Sequence, residues 1–131
     1  MASSATAARR GAIALLDQVL GHQQMLSDAI AAGALEGLSP SDRARAQRLA
    51  ADTLRGLERL DRLLQAHMQR PPALTVRNTL RLGALELCQG EAAHGVVNAM
   101  VQITADHRKF RNMRGLVNAV LRRVSETGPQ K

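Results

Sequence analysis

The sequence has no tryptophan, no tyrosine and a single phenylalanine, Phe110. Proteins that hold single-stranded nucleic acid by stacking successive bases need a row of aromatic faces. That mode is excluded here, so any nucleic-acid contact must use phosphates, helix ends and hydrogen bonds to bases. Cysteine is almost as scarce. Cys88 stands alone and cannot form an internal disulfide, which makes a reducing cytoplasm the expected setting. No apolar run approaches the ~18 residues of a membrane span. The small, polar stretch before Arg9 and Arg10 lacks the apolar centre of a secretory signal. Strand-like alternation rich in Val, Ile and Thr is missing, so no sheet is expected. There is no phosphate loop, zinc motif or nucleophile–base pair, and His22, His67 and His107 are too far apart for metal spacing. Asp17, Asp61 and Glu86 show no pairing suited to acid–base work. No catalytic residue, metal or cofactor is expected in this chain.

What is present is helix-forming and basic. The chain has 131 residues, enough for one domain that buries roughly two-thirds of its unfolded surface. Leu, Ala, Arg and Gln dominate, and all favour helix. The net charge of +7 is uneven: residues 1–69 carry 8 Arg against 7 acids, residues 70–131 carry 10 Lys and Arg against 4. A basic excess points to a polyanionic partner, although alone it equally describes a well-solvated surface.

Apolar spacing of three and four residues predicts six helical segments. The first runs from about Thr6 to Leu20, with Gly21 as its stop. A short one spans about Met25 to Ala32, ending in Gly33, and 34–38 reads as a loop. The third opens on Ser39-Pro40-Ser41-Asp42, which offers a cap serine, a proline at the first helical position and an acid at the third. Its apolar period continues unbroken through Leu57, Leu60 and Leu64 to Met68, with Glu58 and Arg62 paired outside and Pro71-Pro72 as terminator. The fourth, about Thr75 to Gln89, is apolar around most of its circumference and belongs in the middle of a bundle. Gly83 inside it costs about 1 kcal/mol relative to Ala, and close approach of a neighbouring helix is the expected compensation. The fifth runs about Gly95 to His107 and the sixth about Arg114 to Val124. The start, 1–5, and the tail, 125–131, read as disordered or linker-like, which leaves 6–124 as the domain.

Val96-Val97-Asn98-Ala99-Met100 is similar to Leu116-Val117-Asn118-Ala119-Val120, and both asparagines are expected to satisfy backbone groups between helices. His94, before a helix, reads as a cap or hydrogen-bond partner, and Cys88 as core. Arg122 and Arg123 are expected near a helix C-terminus, where cations suit the dipole.

Several stretches together resemble the NusB-like domain: Ala92-Ala93-His94-Gly95-Val96-Val97-Asn98, Gly115-Leu116-Val117-Asn118-Ala119-Val120-Leu121-Arg122-Arg123, Leu60-Asp61-Arg62-Leu63-Leu64, Arg70-Pro71, and Leu80-Arg81-Leu82-Gly83-Ala84-Leu85-Glu86-Leu87. The resemblance spans about Ala7 to Val124. It implies an all-α bundle of about six to seven helices that binds RNA. Leu60-Asp61 with Arg70-Pro71, the Ala92–His94 run and the 116–123 ending look most like the N-terminal domain of the RsmB/Sun-type ribosomal-RNA cytosine-C5 methyltransferases. That branch usually has Pro where this chain has Ala92, and commonly an aromatic where it has Leu85. The implied role is an rRNA-binding module linked to a methyltransferase domain outside this sequence. The other branch is the stand-alone transcription antitermination factor that pairs with a ribosomal protein, and a third reading is a protein-docking module with incidental charge. The resemblance assigns RNA contact to Arg9 and Arg10. The cationic stretch Arg108, Lys109, Arg111 and Arg114 enters the last helix, where free N–H groups and the positive dipole end suit phosphate.

Overall fold

The structure is a computed structural model that describes residues 4–128, with side chains from Thr6 onward. Among the described residues there are seven α-helices and no strand: α1 Ser4–His22, α2 Leu26–Ala31, α3 Pro40–Arg55, α4 Leu57–Gln65, α5 Leu74–Cys88, α6 Ala93–Asp106 and α7 Arg114–Thr127, the last preceded by a 3-10 turn, Arg111–Met113. The all-α bundle expected from the sequence is the observed fold. Residues 1–3 and 129–131 of the expected disordered ends lie outside the described residues, whereas Ser4–Ala5 and Ser125–Thr127 are helical.

The centre of the bundle is α5. It packs against α1, α3, α4, α6 and α7, and every residue from Asn78 to Leu87 is buried. A helix buried all round needs apolar residues all round, which is the pattern Val76, Leu80, Leu82, Ala84, Leu85 and Leu87 supply. Its end is a Schellman motif. Gly90 takes φ 85°, while Gly90 N–H donates to the Leu87 carbonyl at 3.1 Å and Glu91 N–H to that of Glu86 at 3.0 Å. Gly83 faces α7, and a Cβ there would stand 2.7 Å from Leu121 Cδ1. The expected close approach is thus made by the last helix.

Local start signals behave as read. The Ser39 hydroxyl accepts from the Asp42 N–H at 3.2 Å, with Pro40 at the first helical position. Several boundaries differ from the sequence reading, and two of them have a clear local cause. The long third segment is broken at Gly56, whose φ −102° and ψ 16° leave the helical basin. The backbone hydrogen bonds from Gly56 N–H to Asp52 and from Leu60 N–H to Gly56 persist, so the chain bends rather than stops. The bend turns Leu60 and Leu64 into the core beside α5 and α7. In α1 the helix runs through Gly21 to His22, and Gln23 takes the left-handed turn instead, at φ 56°.

Substituting Gly83 by Ala gains helix propensity of about 1 kcal/mol but overpacks against Leu121 at about 1–3 kcal/mol. Chemical denaturation should show Gly83→Ala losing up to about 2 kcal/mol and Gly83→Val losing more. Gly95→Ala on α6, where nothing lies within 4 Å of the added Cβ, should instead be neutral or stabilising.

Candidate nucleic-acid interface

Two consecutive arginines on α1 point in different directions. Arg9 shares the helix face of Ala12, Ile13 and Leu16, at spacings of three, four and seven, and it is buried with them at 6 % exposure. Its guanidinium makes a two-pronged pair with Glu86 of α5, Nε to Oε2 at 2.7 Å and Nη2 to Oε1 at 2.8 Å. Glu86 is itself 1 % exposed and receives Arg45 at 3.4 Å from the side. The assignment of Arg9 to an RNA-facing surface is therefore corrected: its charge is consumed inside the bundle. The signal was in the sequence, since Arg9 lies in phase with the apolar stripe of α1 and Glu86 lies among the leucines of α5.

Arg10, one residue and about 100° further round the helix, faces outward. Its Nη2 reaches Asp106 Oδ2, at the end of α6, at 2.7 Å, and its Nε is buried without a partner. This contact joins α1 to the cationic turn 107–114. Within that turn the Phe110 N–H donates to the His107 carbonyl at 3.2 Å and the Met113 N–H to that of Phe110 at 2.8 Å. Arg111 Nε donates to the Ala105 carbonyl at 3.0 Å, a cation placed on the open carbonyl end of α6. Arg114 caps the Arg111 carbonyl at 3.1 Å. Lys109 lies 5.6 Å from the centre of the Phe110 ring, and His107 stacks beside that ring at 4.8 Å. Arg108, Lys109, Arg111 and Arg114 are all exposed.

Arg10 and Arg108 border one groove of about 490 Å³ between α1, α5 and α6, which Phe110 and the aliphatic Ile13, Val76 and Ile103 also line. Of the six residues singled out from the sequence, Arg10 and Arg108 line this groove, Lys109 sits by Phe110 of its rim, Arg111 and Arg114 are held at the end of α6 and in the turn, and Arg9 faces the core. Sequence reasoning missed the groove because its walls come from three helices far apart in the chain. It also missed the polar chain behind it. Asp61 of α4 accepts from Arg81 at 2.7 and 2.9 Å, Arg81 donates to Asn78 at 2.9 Å, and Asn78 donates to Asp17 at 2.8 Å.

The remaining expectations fall elsewhere. Asn98 is exposed and its amide meets the His94 ring at 3.1 Å, so it serves a side chain and not the backbone. Together with Asn118 it lines a separate, polar groove. Arg122 and Arg123 lie more than a turn before the end of α7, because that helix continues to Thr127. Cys88 is half-buried against the core, and burial pushes its thiol up from the usual value, which suppresses thiolate chemistry. Among the described residues no group of His, Cys, Asp and Glu is arranged to hold a metal, and no helix is long and apolar enough to cross a membrane.

The NusB family model matches residues 6–126. This chain belongs to the NusB family. Over 86 residues it is 44 % identical to ribosomal RNA small subunit methyltransferase B of Thermus thermophilus, a match that covers 64 % of this chain and 21 % of that protein. The NusB chain thus spans about a fifth of the length of that relative. No solved structure gives a significant match.

Two outcomes follow from these contacts. Glu86→Gln keeps the shape of the side chain but strands the Arg9 charge in the core, and denaturant unfolding should show a loss of about 3–5 kcal/mol. The double variant Arg9→Met with Glu86→Leu should lose much less. The amide of Gln102 and then the guanidinium of Arg10 hold the Asp106 carboxyl below its ordinary value of 3.8. The Arg10–Asp106 link is accordingly complete above that value and lost as pH falls through the lower, folded one. An NMR titration should place the Asp106 midpoint below 3.8, and Gln102→Ala or Arg10→Ala should each raise it.

Proposed function

We propose that this chain is an RNA-binding domain that holds ribosomal RNA for a methyltransferase domain carried on the same polypeptide. The observation that carries the reading is the meeting of Arg10 with Asp106, which sets an α1 arginine against the exposed Arg108–Arg114 turn at one groove. The family match and the similarity to a ribosomal RNA methyltransferase support it. In this role the domain performs no bond-making step. Its cations neutralise phosphates and release counterions, and its packed helices hold them in fixed relative positions. Tethering to a catalytic domain then raises the effective concentration of that domain at its substrate.

Phosphate must compete with Asp106 for Arg10. Both partners are well exposed, with side chains 39 % and 45 % accessible, so the existing pair is weakly held against solvent and is readily exchanged.

Fluorescence anisotropy with single-stranded fragments of small-subunit rRNA, across a salt series, tests the proposal. Four to five phosphate contacts should give log K falling against log salt with a slope of about −3. Replacing Arg10, Arg108, Lys109 and Arg111 together by Ala should weaken binding at low salt and bring the slope close to zero. Absence of binding at low salt, or binding indifferent to salt and to these substitutions, would refute it.

A further inference from the structure

The groove beside the cationic turn has opposite polarity at its two ends. Arg10, Ile13 with Ala14, and Asp17 follow one another on α1 at spacings of three, four and seven, and all line it. Arg10 and Asp17 therefore leave the helix about 10 Å apart along its axis, with aliphatic side chains between them. Val76 and Ile103 close the apolar floor from α5 and α6. The cationic end is reinforced by Arg108 and shares its rim with Asp106, which Arg10 holds at 2.7 Å.

The carboxylate end is built to hold one orientation. Asp17 Oδ2 accepts from the Thr75 hydroxyl at 2.8 Å and Oδ1 from the Asn78 amide at 2.8 Å. Asn78 is fully buried and is fixed in turn by Arg81. A carboxylate has about four acceptor positions, so each oxygen keeps one for a visitor in the groove.

A ligand that matches this slot is anionic at one end, flat and apolar in the middle, and carries hydrogen-bond donors at the other end. We infer that the groove takes one unstacked guanine nucleotide of a bound RNA, with its base over the aliphatic floor and its Watson–Crick edge on Asp17. This rests on the RNA-binding reading above and adds base selection to it. Guanine presents two adjacent donors, N1–H and the N2 amine, which a carboxylate accepts side by side. Adenine and cytosine set an unprotonated ring nitrogen beside their amino group, and that lone pair meets the carboxylate unfavourably. Uracil flanks its one N–H with two carbonyls. The phosphate end falls to Arg10 and Arg108, where Asp106 now occupies one prong of Arg10. Phe110, the chain's sole phenylalanine, borders the same groove and offers the base an edge or face contact.

The test uses the full 131-residue chain and a short oligouridine carrying one central guanosine, compared by anisotropy with the same oligomer carrying inosine, adenosine or an abasic site. The guanosine oligomer should bind about ten-fold more tightly than the adenosine one, the scale of a bidentate base contact. Inosine, which lacks the N2 amine, should fall between them. Asp17→Asn should collapse the guanosine-to-adenosine ratio towards one, with circular dichroism confirming the helical fold. The wild-type ratio is informative even if that variant does not fold. Oligomers that bind with a normal salt slope but equal affinity, abasic site included, would overturn the guanine slot, leave the groove to a protein side chain, and leave RNA binding standing. Absence of binding by every oligomer at low salt would overturn both readings.

Discussion

A charge on a helix that is surrounded on all sides has to be met by another helix. Glu86 and Arg81 of α5 are 1 % and 7 % exposed, and an unpaired ion at either place would cost several kcal/mol in lost hydration. Glu86 is met by Arg9 of α1, and Arg81 by Asp61 of α4. Both pairs are two-pronged, so each fixes rotation about the helix axis as well as distance. Apolar packing tolerates small rotations of a helix, whereas a guanidinium aligned on a carboxylate does not. The Arg9–Glu86 pair therefore determines which way the rest of α1 faces. With Arg9 turned in, Arg10 is turned out towards Asp106, and Asp17, two turns on from Arg10, is delivered to Thr75 and Asn78. The candidate interface thus depends on a buried contact that is not part of it.

What could be read from the sequence was what is local. The cap at Ser39 depends on residues within one turn, and the burial of α5 follows from its own composition. The bend at Gly56 was hidden because the apolar period runs straight across it and the flanking backbone hydrogen bonds survive. The family resemblance gave the bundle and the general role, and it assigned RNA contact to Arg9 and Arg10 alike. Adjacent in sequence, the two are separated in space by a partner that lies 77 positions away. Helical phase did distinguish them, since Arg9 alone falls on the apolar stripe. The asparagines 98 and 118 show the reverse case. Their sequence context suggested backbone partners, but Asn98 sits on an exposed face where His94 is the nearer group.

The cationic face is not uniformly positive, and that shapes what it can bind. Arg111 and Arg114 each spend one donor on a backbone carbonyl, which fixes the turn and leaves the rest of each guanidinium in solvent. Asp106 takes donors from both Arg10 and Gln102. A surface of this kind holds Arg111 and Arg114 in place before any ligand arrives, so ordering those two costs little on binding. It also lowers the net attraction, because an internal carboxylate already partly satisfies Arg10.

A chain with one phenylalanine and no tyrosine or tryptophan lacks the row of aromatic faces that stacks a run of bases. The remaining route is a small number of hydrogen bonds made by groups whose orientation is set in advance. Phosphate contacts carry no sequence information, so any selectivity has to come from a polar group that the fold aims away from the backbone track. The chain from Asp61 through the buried Arg81 and Asn78 to Asp17 provides such a group and links three helices behind it. An error in the packing of α4 would be transmitted through Arg81 to the carboxylate at the groove. Stability and discrimination are coupled in this bundle, because the side chains that satisfy the buried charges also set the direction of the one acidic group facing the groove from α1.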